Sequence, residues 1–128
     1  MTNINCVVFT THMEFGSVVR AAREELASSD KSYSLRQVSQ RVGIQPTYLS
    51  KIERGELPPP SEETIRKLSV DLELDVDLML AMAGKVSVDL RAIICKRPLL
   101  FSKLIRELKS APDHAVLSVI REVTDGDW

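Results

Sequence analysis

The sequence predicts an all-α chain, with five short helices over residues 13–84 and about three more over residues 85–128. Two observations carry that expectation. Apolar side chains recur every three or four residues from Phe15 to Val123, the spacing of a single helix face. Serine, aspartate and proline stand at the heads of these runs and glycine at several of their ends, where helices start and stop. Only residues 4–11, INCVVFTT, depart from the pattern, being rich in β-branched residues and compatible with one short N-terminal strand. A lone strand needs a partner, so residues 1–12 are set apart as an N-terminal arm or short strand.

Phe15, Val18, Val19, Ala22 and Leu26 place one face of a first helix, which SSDKSY then ends. Ser34 followed by Gln37 is a capping box that opens a second helix. Its Leu35, Val38, Ser39 and Val42 share a face, and Gly43 stands where the chain must turn left-handed to leave it. Pro46 suits the first turn of a third helix, which ends at Gly55 before the stiff loop Leu57–Pro60. Ser61 caps a fourth, with Glu62 and Glu63 at its positive end and Ile65, Leu68 and Leu72 as its stripe. Asp75 caps an apolar fifth helix, VDLMLAMA, closed by Gly84.

Three further helices follow. Ser87 opens one that ends near Arg97, because Pro98 disfavours helical geometry in the residue before it. Pro98 starts the next, with Leu100, Phe101, Leu104, Ile105 and Leu108 apolar. Pro112 starts the last, with Ala115, Val116, Val119, Ile120 and Val123 apolar, and a tail closes on Trp128.

Composition narrows the class of protein. The chain has 128 residues, 44% apolar and 27% charged, an ordinary soluble balance that suits one compact domain or one small domain with a helical appendage. No apolar run approaches the roughly 18 residues that span a bilayer, so no membrane partner is expected. The N-terminus has no basic stretch ahead of its apolar run, which argues against a secretory signal. Cys6 and Cys95 lie outside any ligand spacing and read as small buried hydrophobes in a reducing cytoplasm. His12 and His114 are isolated, so no metal and no cofactor is expected. No phosphate loop and no carboxylate pair in a catalytic context is present, so enzymatic activity is not expected. Net charge is −1, yet residues 20–67 carry +2 and residues 68–95 carry −3, so basic side chains lean toward the first half.

That lean coincides with residues 34–55, two short helices joined by the three-residue turn Gly43-Ile44-Gln45. Such a turn sets the second helix across the first, where it can project into a DNA major groove. With Pro46 at 0°, Leu49 falls near ~300° and Ile52 near ~240°, which defines a buried side. Ser50 (~40°), Arg54 (~80°), Thr47 (~100°) and Lys51 (~140°) cluster opposite. This outer face has hydroxyls and cations, a chemistry able to read base edges and grip phosphates. A protein-binding surface has the same polar look, and the wheel alone does not separate the two.

Residues 16–80 resemble the phage-repressor-type (XRE/Cro-repressor) helix-turn-helix family, a five-helix module. The resemblance rests on Gly16, Val19, Arg20 and Arg23 in the first helix and on Ser34, Val38 and Ser39 in the second. It continues through Gly43-Ile44, the run YLSKIERG, Pro60-Ser61, and Ile65, Leu68, Leu72, Val76 and Leu80. The resemblance implies that residues 13–84 form a domain binding double-stranded DNA. It makes the helix from Pro46 the recognition helix, with Pro46, Thr47, Ser50 and Lys51 at the bases. Arg36, Gln45, Tyr48 and Arg54 are then expected at phosphates. Arg23 and Glu53 are expected as a structural ion pair tying the first helix to the recognition helix. Leu35 stands where many members carry a phosphate-gripping Gln, which leaves that contact to Arg36. The function implied is a transcriptional regulator, a repressor that binds an inverted repeat as a homodimer. Residues 85–128 have three amphipathic helices that could pack on one another, on the fifth helix or across a dimer axis; dimerisation is the reading adopted. The alternative is an antitoxin-like DNA-binding protein whose C-terminal helices bind a toxin or other protein antagonist, and a third reading is a module that binds only protein.

Overall fold

A computed structural model describes the backbone of residues 4–127 and the side chains of residues 14–127. Eight α-helices follow in order: α1 (Ile4–Ala27), α2 (Leu35–Val42), α3 (Pro46–Glu53), α4 (Glu62–Asp71), α5 (Val76–Met82), α6 (Val88–Lys96), α7 (Pro98–Leu108) and α8 (Asp113–Asp125). The all-α expectation holds, with five helices and then three. One expectation is corrected: residues 4–11 are not a strand but the opening turns of α1. β-branched residues favour a strand only where a neighbour completes the ladder. A helix already formed over residues 15–27 instead extends by closing its own hydrogen bonds residue by residue. Met1–Asn3, Trp128 and the side chains of Cys6 and His12 lie outside the described residues.

The chain divides into two compact units, Met1–Ser87 and Val88–Trp128. The first has a continuous core. Phe15 and Val19 from α1, Val38 and Val42 from α2, and Leu49 and Ile52 from α3 meet Ile65, Leu68, Leu72, Met79 and Leu80 from the α4–α5 segment. All eleven are almost fully buried, as the apolar stripes read from spacing require. Caps fix where the helices begin. Ser34 Oγ accepts from the Gln37 amide at 3.2 Å, Ser61 Oγ from that of Thr64 at 3.4 Å, and an Asp75 carboxylate oxygen from that of Leu78 at 2.9 Å.

Between α1 and α2 the loop tightens into a 3-10 turn, Lys31–Tyr33. The Asp30 carboxylate caps it, accepting from the Ser32 amide at 2.9 Å and the Ser32 hydroxyl at 2.7 Å. Those donors, and more weakly Arg41, hold Asp30 below the ordinary carboxylate range. Arg41 fastens the same turn to α4. Its guanidinium donates to both carboxylate oxygens of Asp71 at 2.7 and 3.0 Å and to the Ser32 carbonyl at 2.6 Å. It also lies 5.0 Å from the centre of the Tyr33 ring. Its hydrogen bonds to the Asp71 carboxylate keep the Arg41 guanidinium above its ordinary range.

The second unit is built differently. Pro98 sits in the first turn of α7, and Pro112 precedes α8 in extended backbone, so each helix starts where a proline demands it. Yet no residue of α6, α7 or α8 is buried. Leu100 is 64% exposed, Ile105 57% and Ile120 54%.

Candidate nucleic-acid interface

The predicted two-helix element is α2, the turn Gly43-Ile44-Gln45, and α3. Gly43 has φ of 88°, a left-handed conformation that lets α2 stop and the chain turn at once. Its amide and that of Ile44 both donate to the Ser39 carbonyl, at 2.8 and 3.0 Å. A side chain at residue 43 would meet nothing within 4 Å, so the backbone angle alone calls for glycine there. Gln45 then occupies the N-cap position of α3 and Pro46 its first turn. The Gln45 side chain makes no cap hydrogen bond.

The inner side of α3 is anchored at three points. Leu49 and Ile52 are fully buried in the core. Glu53, 5% exposed, accepts from Nε and Nη2 of Arg23 at 2.7 and 3.0 Å. Arg23, 8% exposed, also donates to the Tyr33 carbonyl at 3.2 Å. Hydrogen bonding to Glu53 outweighs the burial that opposes it, so the Arg23 guanidinium stands above its ordinary range. Gly16 allows the close approach behind this anchor: a Cβ there would collide with the Ile52 carbonyl and lie 2.8 Å from that of Glu53.

The outer side of α3 is what remains. Pro46, Thr47, Lys51 and Arg54 are exposed, while Ser50 and Tyr48 are half-buried, Tyr48 packing by its ring against the core. Arg36, in the first turn of α2, and Gln45, at the end of the inter-helix turn, are exposed. Arg54 pairs with Glu56 at 2.9 Å, an exposed bridge that water or a phosphate can replace at small cost. The surface therefore joins hydroxyls that donate or accept with three cations, on a helix held rigidly from behind. Pro46, Thr47, Ser50 and Lys51, expected at the bases, lie on one side of α3, and the residues expected at phosphates are Arg36 on α2, Gln45 in the turn, Tyr48 on α3 and Arg54 at its C-cap.

Sequence reasoning missed the Arg41–Asp71 clamp. The two residues are thirty positions apart, and nothing local distinguishes Arg41 from a solvated helix cation; the aromatic Tyr33 nearby was the only signal. Ser39, placed by its spacing on the shared face of α2, is buried there, and its Oγ has no hydrogen-bond partner among the described residues. No His/Cys/Asp/Glu group among the described residues is placed to hold a metal. None of the described helices is long and apolar enough to cross a membrane. Cys95, expected to be buried, is exposed on α6, because that helix has no core to enter.

Comparison with known proteins adds a family-level likeness. Residues 14–82, more than half the chain, match the model of a helix-turn-helix domain family. A curated relative, described as the HTH-type transcriptional regulator SlrR of Bacillus subtilis (strain 168), is 36% identical over 61 residues. That stretch covers 48% of this chain and 37% of the relative's length. No solved structure matches the chain.

Proposed function

Because the chain belongs to the helix-turn-helix domain family, we propose that it is a sequence-specific DNA-binding transcriptional regulator of the XRE type. α3 lies in the major groove with Pro46, Thr47, Ser50 and Lys51 along the base edges. Arg36, Gln45, Tyr48 and Arg54 hold the flanking phosphates. One observation carries this reading: α3 is two-sided, its inner face locked into the core and its outer face exposed, polar and cationic. A reading helix needs both, since base contacts discriminate only when the side chains that make them are held in register by the scaffold.

One module of this size touches few base pairs. Two copies on half-sites one helical turn apart make the contact specific, so the regulator binds an inverted repeat as a homodimer. It represses by occupying promoter DNA, its own promoter included. Residues 85–128 supply the pairing. Phosphate contacts make binding fall with rising salt.

Selection of bound sequences from a random DNA pool by the full chain tests the proposal. The expected product is an inverted repeat with half-site centres about 10 base pairs apart. A pool that stays unenriched at low salt rejects the reading. The apolar exposure of α6–α8 favours one second reading, an antitoxin-like protein whose C-terminal helices bind a toxin while the module binds DNA. Co-purification with a small protein encoded beside it would distinguish that case.

A further inference from the structure

The exposed face of α3 ends on a carboxylate, an unexpected group beside side chains proposed to meet a polyanion. Arg54 is the C-cap of α3, and Gly55, with φ of 73°, turns the chain back in left-handed geometry. The Gly55 amide donates to the Ile52 carbonyl at 3.0 Å and the Glu56 amide to the Lys51 carbonyl at 2.9 Å. These two bonds make a Schellman closure, which fixes the backbone of the second residue past the cap. That residue is Glu56. Leu57 and three prolines follow, each proline with its φ locked, so the backbone behind Glu56 is stiff as well. The carboxylate is thereby held at the end of α3, 2.9 Å from Nη2 of Arg54, with both side chains about half exposed.

We propose that Glu56 is an intramolecular competitor for the DNA backbone: its carboxylate occupies Arg54 in the free chain and must be displaced before that guanidinium grips a phosphate. This rests on the DNA-binding reading and adds to it a residue that sets how tightly, and with what salt dependence, the same face binds. A carboxylate and a phosphate offer a guanidinium the same kind of charge-assisted hydrogen bond, so one replaces the other at the same donor. A bridged Arg54 also presents no net charge to the duplex, whereas a free one presents a full positive charge and releases counterions when it docks. The bridge is exposed, and exposed pairs are weak enough to open. It therefore tunes binding without abolishing it. Phosphate contacts carry no sequence information, so the competitor lowers affinity for every sequence and leaves the choice of bases to the residues proposed to read them.

Glu56→Gln in the full chain tests it, with Arg54→Ala and the double variant completing a cycle. Gln keeps the backbone amide that closes α3 and removes only the charge, and circular dichroism checks that each variant is folded. Binding is followed by fluorescence anisotropy across a salt series on two duplexes of equal length, the selected site and an unrelated sequence. Glu56→Gln should bind both duplexes roughly two- to fivefold more tightly at low salt, the scale of an exposed ion pair. The slope of log affinity against log salt should steepen by up to about 0.9 for each copy bound. In the Arg54→Ala background the same replacement should give little of that gain, because no guanidinium is left to release. Equal gains in both backgrounds would mean that Glu56 merely repels DNA at long range, and would overturn the competition. Equal binding by wild type and Glu56→Gln overturns it while leaving the DNA-binding reading in place. If no protein binds either duplex, both fall together.

Discussion

The Arg23 guanidinium and the Glu53 carboxylate face each other through two parallel hydrogen bonds, 2.7 and 3.0 Å long, where α1 crosses α3. Both groups are buried, so neither can recover water if its partner is lost. Glu53→Gln or Arg23→Met should each cost about 3–5 kcal/mol, since removing one member of a buried pair strands the other's charge. The double replacement Arg23→Met with Glu53→Leu should recover much of that loss. Denaturant unfolding of the three variants measures both, and additive losses in the double variant would show that the pair does not act as a unit.

Gly16 gives a steric prediction. Gly16→Ala pushes a methyl group into the carbonyls of Ile52 and Glu53, which are backbone atoms and cannot swing away. α1 must shift off α3, at a cost of about 1–3 kcal/mol. The thermal midpoint should fall, and DNA affinity should fall with it if the seam sets the pose of α3. An unchanged midpoint refutes the close approach.

Ser39 predicts the opposite sign. Its hydroxyl is buried without a hydrogen-bond partner among the described residues, so Ser39→Ala removes a polar group that was desolvated for nothing. Stability should rise by about 1 kcal/mol. A loss on denaturant titration would mean that the hydroxyl is satisfied after all.

The Asp30 cap makes stability depend on acid. Its carboxyl is held below the ordinary value in the folded chain by the Ser32 amide and hydroxyl. The stabilisation is therefore full above the unfolded-state value and is lost as pH falls through the folded one. Asp30→Asn, which does not titrate, should be less stable than wild type at neutral pH. The two stability curves should converge toward the acid end of the carboxylate range, and parallel curves would assign the acid sensitivity elsewhere.

On DNA, Lys51→Ala should lose roughly 1–3 kcal/mol against the selected site and relax the preference at one base position. Arg54→Ala should instead weaken all sequences alike and lower the salt slope. Equal binding by wild type and Lys51→Ala across all sequences removes Lys51 from the base-reading set.

Much of the helical order could be read from residues with one strong local role. Pro46, Pro98 and Pro112 mark starts, Ser34, Ser61 and Asp75 cap, and Gly43 turns, each acting through its own backbone or the next few amides. The inner face of α3 was equally legible, because Leu49 and Ile52 at helical spacing carry their burial in their periodicity. Residues 4–11 were misjudged because β-branching is a preference that an adjoining helix overrides. Arg41 with Asp71, and the contact behind Gly16, depend on which elements cross in space, which no local pattern encodes. Cys95 was misplaced for a related reason: helix periodicity tells which face is apolar, and not whether anything covers it.

The seam at Gly16 has an evolutionary corollary. Because α3 is secured from the rear by Leu49, Ile52 and Glu53, exchanging Thr47 or Lys51 for other residues alters no buried neighbour. Under the proposed DNA-binding mode, new operator preferences would thus arise by single substitutions on the front, leaving foldability intact. The module is a fixed chassis with an interchangeable printhead.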